Sequence, residues 1–294
     1  MARRWKLLAA TGVAASMLAL LPGTAAWGAQ APPWIGQNGA WARALLVRPS
    51  SSLPGPAASP GSRCQTSLNR AAVQDGAPRM AIVGASFTAG VGPDQPQLAW
   101  SVLLARQMHW DAMINGVPGA GYIRTGTRHK GPMSAELRRA GLAALAPRLV
   151  IVQAGHDDIG LPVAEEKQHV RQTIGLIRAQ APQARIALLT VFPGERHAAE
   201  AAQTDRAIVT AARAADPHVL IMDPLTGHWV FPRSRDGLHP TAAGDAWIAA
   251  EVASLLQGAG VQPGPAGGGQ VCDNAVTAPP HPPQPSPPHP ARRL

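Results

Sequence analysis

Between residues 79 and 258, short buried-type runs alternate with helix-type stretches, and this alternation most constrains the fold. Arg79 to Gly84 is a β-type run and Leu98 to Met108 is helix-like. Asp111 to Asn115 is a weak strand, and Ala135 to Leu145 is rich in Ala, Leu and Arg. Leu149 to Gln153 and Ile186 to Phe192 read as apolar strands, and Val219 to Met222 as a fifth. In the helices between them Val170, Ile174 and Ile177 recur at helical spacing, as do Ile248, Val252 and Leu255. Five strand–helix units in succession predict a parallel sheet covered on both faces: a flavodoxin-like, three-layer α/β/α sandwich with five strands. Ligands of such sheets sit beyond the carboxyl ends of the strands, so the loops there are where chemistry is expected.

The flanks differ in composition. Arg3, Arg4 and Lys6 precede an apolar run, Leu7 to Leu21, followed by small residues at Thr24-Ala25-Ala26 and Ala26-Trp27-Gly28. Residues 1–28 are expected to be a signal peptide, or a membrane anchor, although the run is shorter than the ~20 residues of a spanning helix. Residues 29–78 are read as a Pro/Ser/Gly-rich extension, 79–258 as the central domain, and 259–294 as a Gly/Pro-rich disordered tail. Export places the protein outside the cytoplasm, secreted or associated with the cell envelope. The two cysteines, Cys64 and Cys272, flank the central region and are expected to pair in that compartment. The net charge of +9 favours an anionic envelope surface as a partner. No clustered basic stripe or reading motif points to nucleic acid, and a monomer is expected.

Four segments carry chemistry. Ser86 directly follows the first strand, in Gly84-Ala85-Ser86-Phe87, where a following helix would turn backbone N–H groups toward an anion. Thr88 stands where the G-x-S-x-G elbow has its last glycine, so this is a different arrangement. Asn115 to Gly121 is glycine-rich and follows the second strand, allowing close backbone approach. Gly155-His156-Asp157-Asp158 follows the third strand, and its consecutive side chains do not converge on one metal ion. Asp236-Gly237-Leu238-His239-Pro240 follows the fifth: an aspartate three residues before a histidine can hold one imidazole nitrogen while the other takes a proton from a nucleophile.

In this order the four segments resemble the SGNH hydrolases, also called the GDSL esterase/lipase family, over about 180 residues. Gly84-Ala85-Ser86 stands for the Gly-Asp-Ser block, Gly119 for the second block's glycine, Gly155 to Asp158 for Gly-x-Asn-Asp, and Asp236 to His239 for Asp-x-x-His. The resemblance implies a serine esterase without a cofactor or metal: Ser86 as nucleophile, His239 as general base, Asp236 as its orienting acid. It places the backbone N–H groups of Ser86 and Gly119 in an oxyanion hole. The family's third donor is an asparagine amide, and Asp157 occupies that position. An ionised aspartate cannot donate; a protonated one, its pKa raised by burial and by Asp158, can. The expected partner is an ester: a lipid, an acylated glycan or a small ester. Two other readings stay open, a glycan- or wall-binding module on a weakened hydrolase fold and an extracellular O-acyltransferase. Trp229 and Phe231, just before Asp236, are candidates for an acyl pocket and equally for the core.

Overall fold

A parallel sheet with the strand order β5-β4-β3-β1-β2-β6 forms the centre of the protein. The computed structural model describes residues 67–68, 76–93, 95–194 and 197–273. These belong to the larger of two units into which the chain divides, residues 54–294. The strands are β1 (Arg79–Gly84), β2 (Asp111–Gly116), β3 (Leu149–Gln153), β4 (Arg185–Leu189), β5 (Leu220–Met222) and β6 (Val271–Asp273). The helices are α1 (Trp100–Met108), α2 (Met133–Ala140), α3 (Leu142–Leu145), α4 (Val163–Gln180), α5 (Ala198–Ala215) and α6 (Ala242–Gly258).

Strand side chains alternate between the two faces, as a period of two requires. Ala81, Val83, Val150, Val152, Ile186 and Leu188 face a core completed by Leu137 of α2, Val170, Ile174 and Ile177 of α4 and Ile208 of α5. Met80, Ile82, Ile114, Ile151 and Leu189 face the other way, against Val102 and Met108 of α1 and Ile248, Val252 and Leu256 of α6. Both faces are covered, which explains why the strands read as continuous apolar runs. The chain reverses direction across the sheet between β1 and β3, so the loops after β1, β2 and β3 meet at one edge.

The sheet has six strands, not five. The sixth lies in the segment expected to be a disordered tail, in which Val261 and Cys272 are buried. β6 pairs with β2 from Ala112↔Val271 to Ile114↔Asp273. The glycines that suggested disorder allow close contact instead: a Cβ at Gly264 or Gly268 would lie 2.4 or 2.2 Å from the His109 carbonyl oxygen. The Gly264 N–H donates to Met108 O, and the Trp110 indole N–H donates to Gln262 O. The core also extends earlier than residue 79, because Leu68 and Ala77 are buried. The single helix expected over 135–145 is two, because Gly141 adopts a left-handed φ of +62° and caps α2. The N-terminal segment 1–28 and the end of the tail, 274–294, lie outside the described residues. Among the described residues no helix is long and apolar enough to cross a membrane.

Candidate active site

The chain leaves β1 into consecutive turns rather than the helix expected after Ser86; the next regular helix, α1, begins at Trp100. Ala89 N–H donates to Ala85 O and Val91 N–H to Ser86 O, which curls the segment back on itself. From beneath, the Gln153 side-chain oxygen at the end of β3 accepts from Ala85 N–H (3.1 Å), Thr88 N–H (3.3 Å) and the Thr88 hydroxyl (3.0 Å). Gly84 has no room for a side chain: a Cβ there would lie 2.2 Å from Thr88 Oγ1. Ser86 is left at the sheet edge, 9% exposed.

His239 follows β5 and lies on a narrow antiparallel turn. Ser234 N–H donates to His239 O, and Arg233 bridges Pro240. Asp236 organises the turn around itself, its Oδ1 accepting from the Ser234 hydroxyl, Leu238 N–H and His239 N–H at 2.8, 2.9 and 2.9 Å. Asp236 Oδ2 lies 2.6 Å from His239 Nδ1, and His239 Nε2 lies 2.8 Å from Ser86 Oγ. Burial opposes ionisation of Asp236, but the hydrogen bonds from His239, Leu238 and Ser234 outweigh it and hold the carboxyl well below its usual range. The resulting line, carboxylate to imidazole to hydroxyl, can draw the proton from Ser86 Oγ onto His239.

The loop after β2 starts against the Ser86 turn, where a Cβ at Gly116 would lie 2.4 Å from Ala89 N, and it carries Gly119 with φ at +76°. Among the described residues neither Ser86 N–H nor Gly119 N–H donates to a protein acceptor. The loop after β3 carries two acids with different surroundings. Asp158 is buried and accepts from Tyr122 N–H (2.6 Å), Ile123 N–H (3.3 Å) and Arg124 N–H (3.0 Å), which ties the third loop to the second. Sequence reasoning assigned it no task, because its partners are backbone groups that carry no sequence signal. Asp157 contributes its carbonyl to Arg124 Nε, while its carboxyl makes no hydrogen bond among the described residues. Burial, then the charge of Asp158, pushes the Asp157 carboxyl up to about 6, against the pull of Arg124.

Beneath the site Phe87 and Phe192 stack at 4.1 Å, with Phe231 edge-on to both. Phe231 and Trp229 are buried in the apolar core, and Trp229 packs on Trp247. Trp229 also lines a cavity of about 670 Å³ with Leu225, Val230, Arg206 and Arg233. A second cavity, of about 470 Å³, opens beside Asp236 between His156, Ile159, Gly194, His197 and Leu238. His156, weighed in the sequence only as a metal ligand, has its ring 6.4 Å from that of Phe87. Burial holds its imidazole below the ordinary histidine value, and the charges of His239 and Arg233 add to this. Cys272 is buried on β6 in the same apolar cluster as Leu68; Cys64 lies outside the described residues.

Over residues 82–247, more than half of the chain, the sequence matches the profile of the GDSL-like Lipase/Acylhydrolase family. The chain belongs to that family. Its chemistry at this level is the hydrolysis of esters. Solved structures of similar fold include a family two carbohydrate esterase from Cellvibrio japonicus, with a TM-score of 0.52 at 18% identity over 62% of this chain and 61% of that one. A carbohydrate esterase family 2 enzyme with a carbohydrate-binding domain, from Corynascus thermopiles (Myceliophthora fergusii), gives 0.51 at 19% identity over 62% and 66%. TesA gives 0.50 at 21% identity over 62% of this chain and 99% of its own. The match thus spans less than two thirds of either carbohydrate esterase, and at these identities the likeness is one of fold. No curated protein matches the chain in sequence. This GDSL-family member keeps the serine, aspartate and histidine expected of it in hydrogen-bonding order, and departs at Asp157.

Proposed function

We propose that the protein is an exported serine esterase that works through an acyl-enzyme. The observation that carries this reading is the relay of Asp236, His239 and Ser86, joined at 2.6 and 2.8 Å. Ser86 Oγ attacks the ester carbonyl carbon as its proton passes to His239 Nε2. The carbonyl oxygen takes the negative charge and is met by the N–H groups of Ser86 and Gly119, which have no other acceptor among the described residues. His239 returns the proton to the departing alkoxide, giving free alcohol and acyl-Ser86. Water, deprotonated by the same imidazole, then releases the carboxylic acid and restores the serine. Asp236 stays ionised throughout and stabilises the imidazolium.

Asp157 supports a second reading, a glycan-binding module on a weakened hydrolase. Below pH about 6 it is protonated and able to donate; above, its charge opposes the oxyanion. Export rests on the basic and apolar N-terminus and the paired cysteine count. A Cys64–Cys272 bond is consistent with burial of Cys272 in the same apolar cluster as Leu68, four residues after Cys64.

A chain-length series of p-nitrophenyl esters, assayed with wild type and Ser86→Ala, tests the reading together with fluorophosphonate labelling. Hydrolysis and labelling by wild type, both lost in Ser86→Ala by at least ~10³-fold in rate, are expected. Absence of labelling in a folded wild-type protein would favour the binding module.

A further inference from the structure

Ser86 and His239 lie on segments that lead into α1 and α6, helices packed on the same face of the sheet, and the first turn of α1 touches the support of both. The N–H groups at the start of a helix have no partner within it, and Ala99 supplies no side-chain cap to α1. The Trp100 N–H is taken instead by Asp245 Oδ1 at 2.9 Å, across 145 residues of sequence. Asp245 lies in the first turn of α6, and its own N–H donates to the carbonyl of Thr241, two residues after His239. The next residue of α1, Ser101, donates its hydroxyl to the carbonyl of Thr88 at 3.2 Å, two residues after Ser86. Trp100, Ser101 and Asp245 are each 0% exposed, so water does not compete for these groups.

The two loops also meet directly. Gly92, on the segment leaving the Ser86 turn, lies so close to the His239 loop that a Cβ would stand 2.2 Å from Pro240 O. One rigid helical turn therefore holds the segment carrying Ser86 with one residue and the helix following His239 with its neighbour. A cap of α1 alone needs only a local acceptor such as a serine at Ala99. A buried carboxylate delivered from α6 does more, because it fixes where α6 begins.

We propose that Asp245 and Ser101 are positioning residues: through the first turn of α1 they set the separation of Ser86 Oγ from His239 Nε2. The proposal rests on the reading that these two atoms exchange the proton. A misplacement of ~1 Å at such a pair costs about 10²-fold in rate, so loosening either anchor is expected to lower turnover without altering substrate affinity.

The test measures kcat and KM for p-nitrophenyl acetate on the full chain, alongside thermal midpoints, with assays run well below every midpoint. Asp245→Ala is expected to lower kcat about 10-fold or more with KM within about twofold. Asp245→Asn keeps an acceptor oxygen for Trp100 N–H and is expected to recover kcat to within about threefold of wild type. Ser101→Ala is expected to lower kcat about three- to tenfold. The proposal is overturned if Asp245→Ala, or Ser101→Ala where the former does not fold, loses stability yet keeps the wild-type kcat. It is equally overturned if Asp245→Asn is as slow as Asp245→Ala. A fully active Ser86→Ala would instead overturn the esterase mechanism on which the proposal stands.

Discussion

The Ser86 turn and the Asp236–His239 turn meet at one hydrogen bond but are built in opposite ways. The second is self-contained. The donors to Asp236 Oδ1 come from Ser234, Leu238 and His239, all within three residues, and the aspartate side chain is still 48% exposed. The Ser86 turn is held from far away, by Gln153 across 65 to 68 residues and by Ser101 of α1. These distant supports are buried, and the turn adds only backbone bonds of its own, among them Ala89 N–H to Ala85 O and Val91 N–H to Ser86 O. A local turn forms wherever its own few residues are placed, whereas the serine's geometry exists only once β1, β3 and α1 have packed. The relay therefore joins a part with intrinsic shape to a part whose shape is tertiary.

Three changes would break or sharpen that contrast. The largest effect is expected from Asp236→Asn. It removes the charge that stabilises imidazolium and disturbs the tautomer, and kcat is expected to fall by ~10³–10⁴-fold with the thermal midpoint nearly unchanged, because the turn is exposed and keeps an acceptor. A loss of several degrees would show that the Asp236 turn, too, supports the fold. Next is Gln153→Met. It leaves the Thr88 N–H and hydroxyl buried without an acceptor and is expected to cost ~2–4 kcal/mol of stability, with a drop in kcat of about tenfold. Calorimetry and steady-state assays read both, and a full-strength, equally stable variant would mean the turn holds itself.

The smallest effect is expected from Asp157→Asn, at the point where the two turns face the third loop. Wild-type Asp157 loses its proton as pH rises through about 6, changing from donor to repelling charge, whereas asparagine donates at every pH. The ratio of variant to wild-type kcat/KM should therefore be near one at pH 5. It should rise through pH 6 to a plateau of about three- to tenfold, less than the ~10²–10³ of a full oxyanion donor because two backbone donors remain. A ratio that is flat, or falls below one, would show that the Asp157 carboxylate contributes to turnover.

The same contrast decides what was legible in the sequence. Asp236 and His239 could be read directly, because their spacing is their geometry. Ser86 could be placed only through its position after the first buried run, and Gly119 only through the family block. Gln153, Asp158 and Asp245 were silent, since each works by accepting from backbone N–H groups of distant segments. The first, third and fourth strands were legible because burial on both faces makes them largely apolar, whereas β2, with Asp111 and Asn115, gave a weaker signal. β6 was not, being three residues long in a glycine-rich stretch whose glycines serve close packing rather than freedom. The helix break at Gly141 was hidden by strong helix formers on either side.

β6 also bears on what the edge of the sheet leaves open. An uncovered outer strand exposes a row of unpaired amides and carbonyls, a template on which another chain can add. By lying along β2, Val271 to Asp273 occupy that template from within the same polypeptide. Cutting the protein at residue 258, where composition alone would end the domain, is expected to strip this cover and open the β2 edge to pairing with another chain.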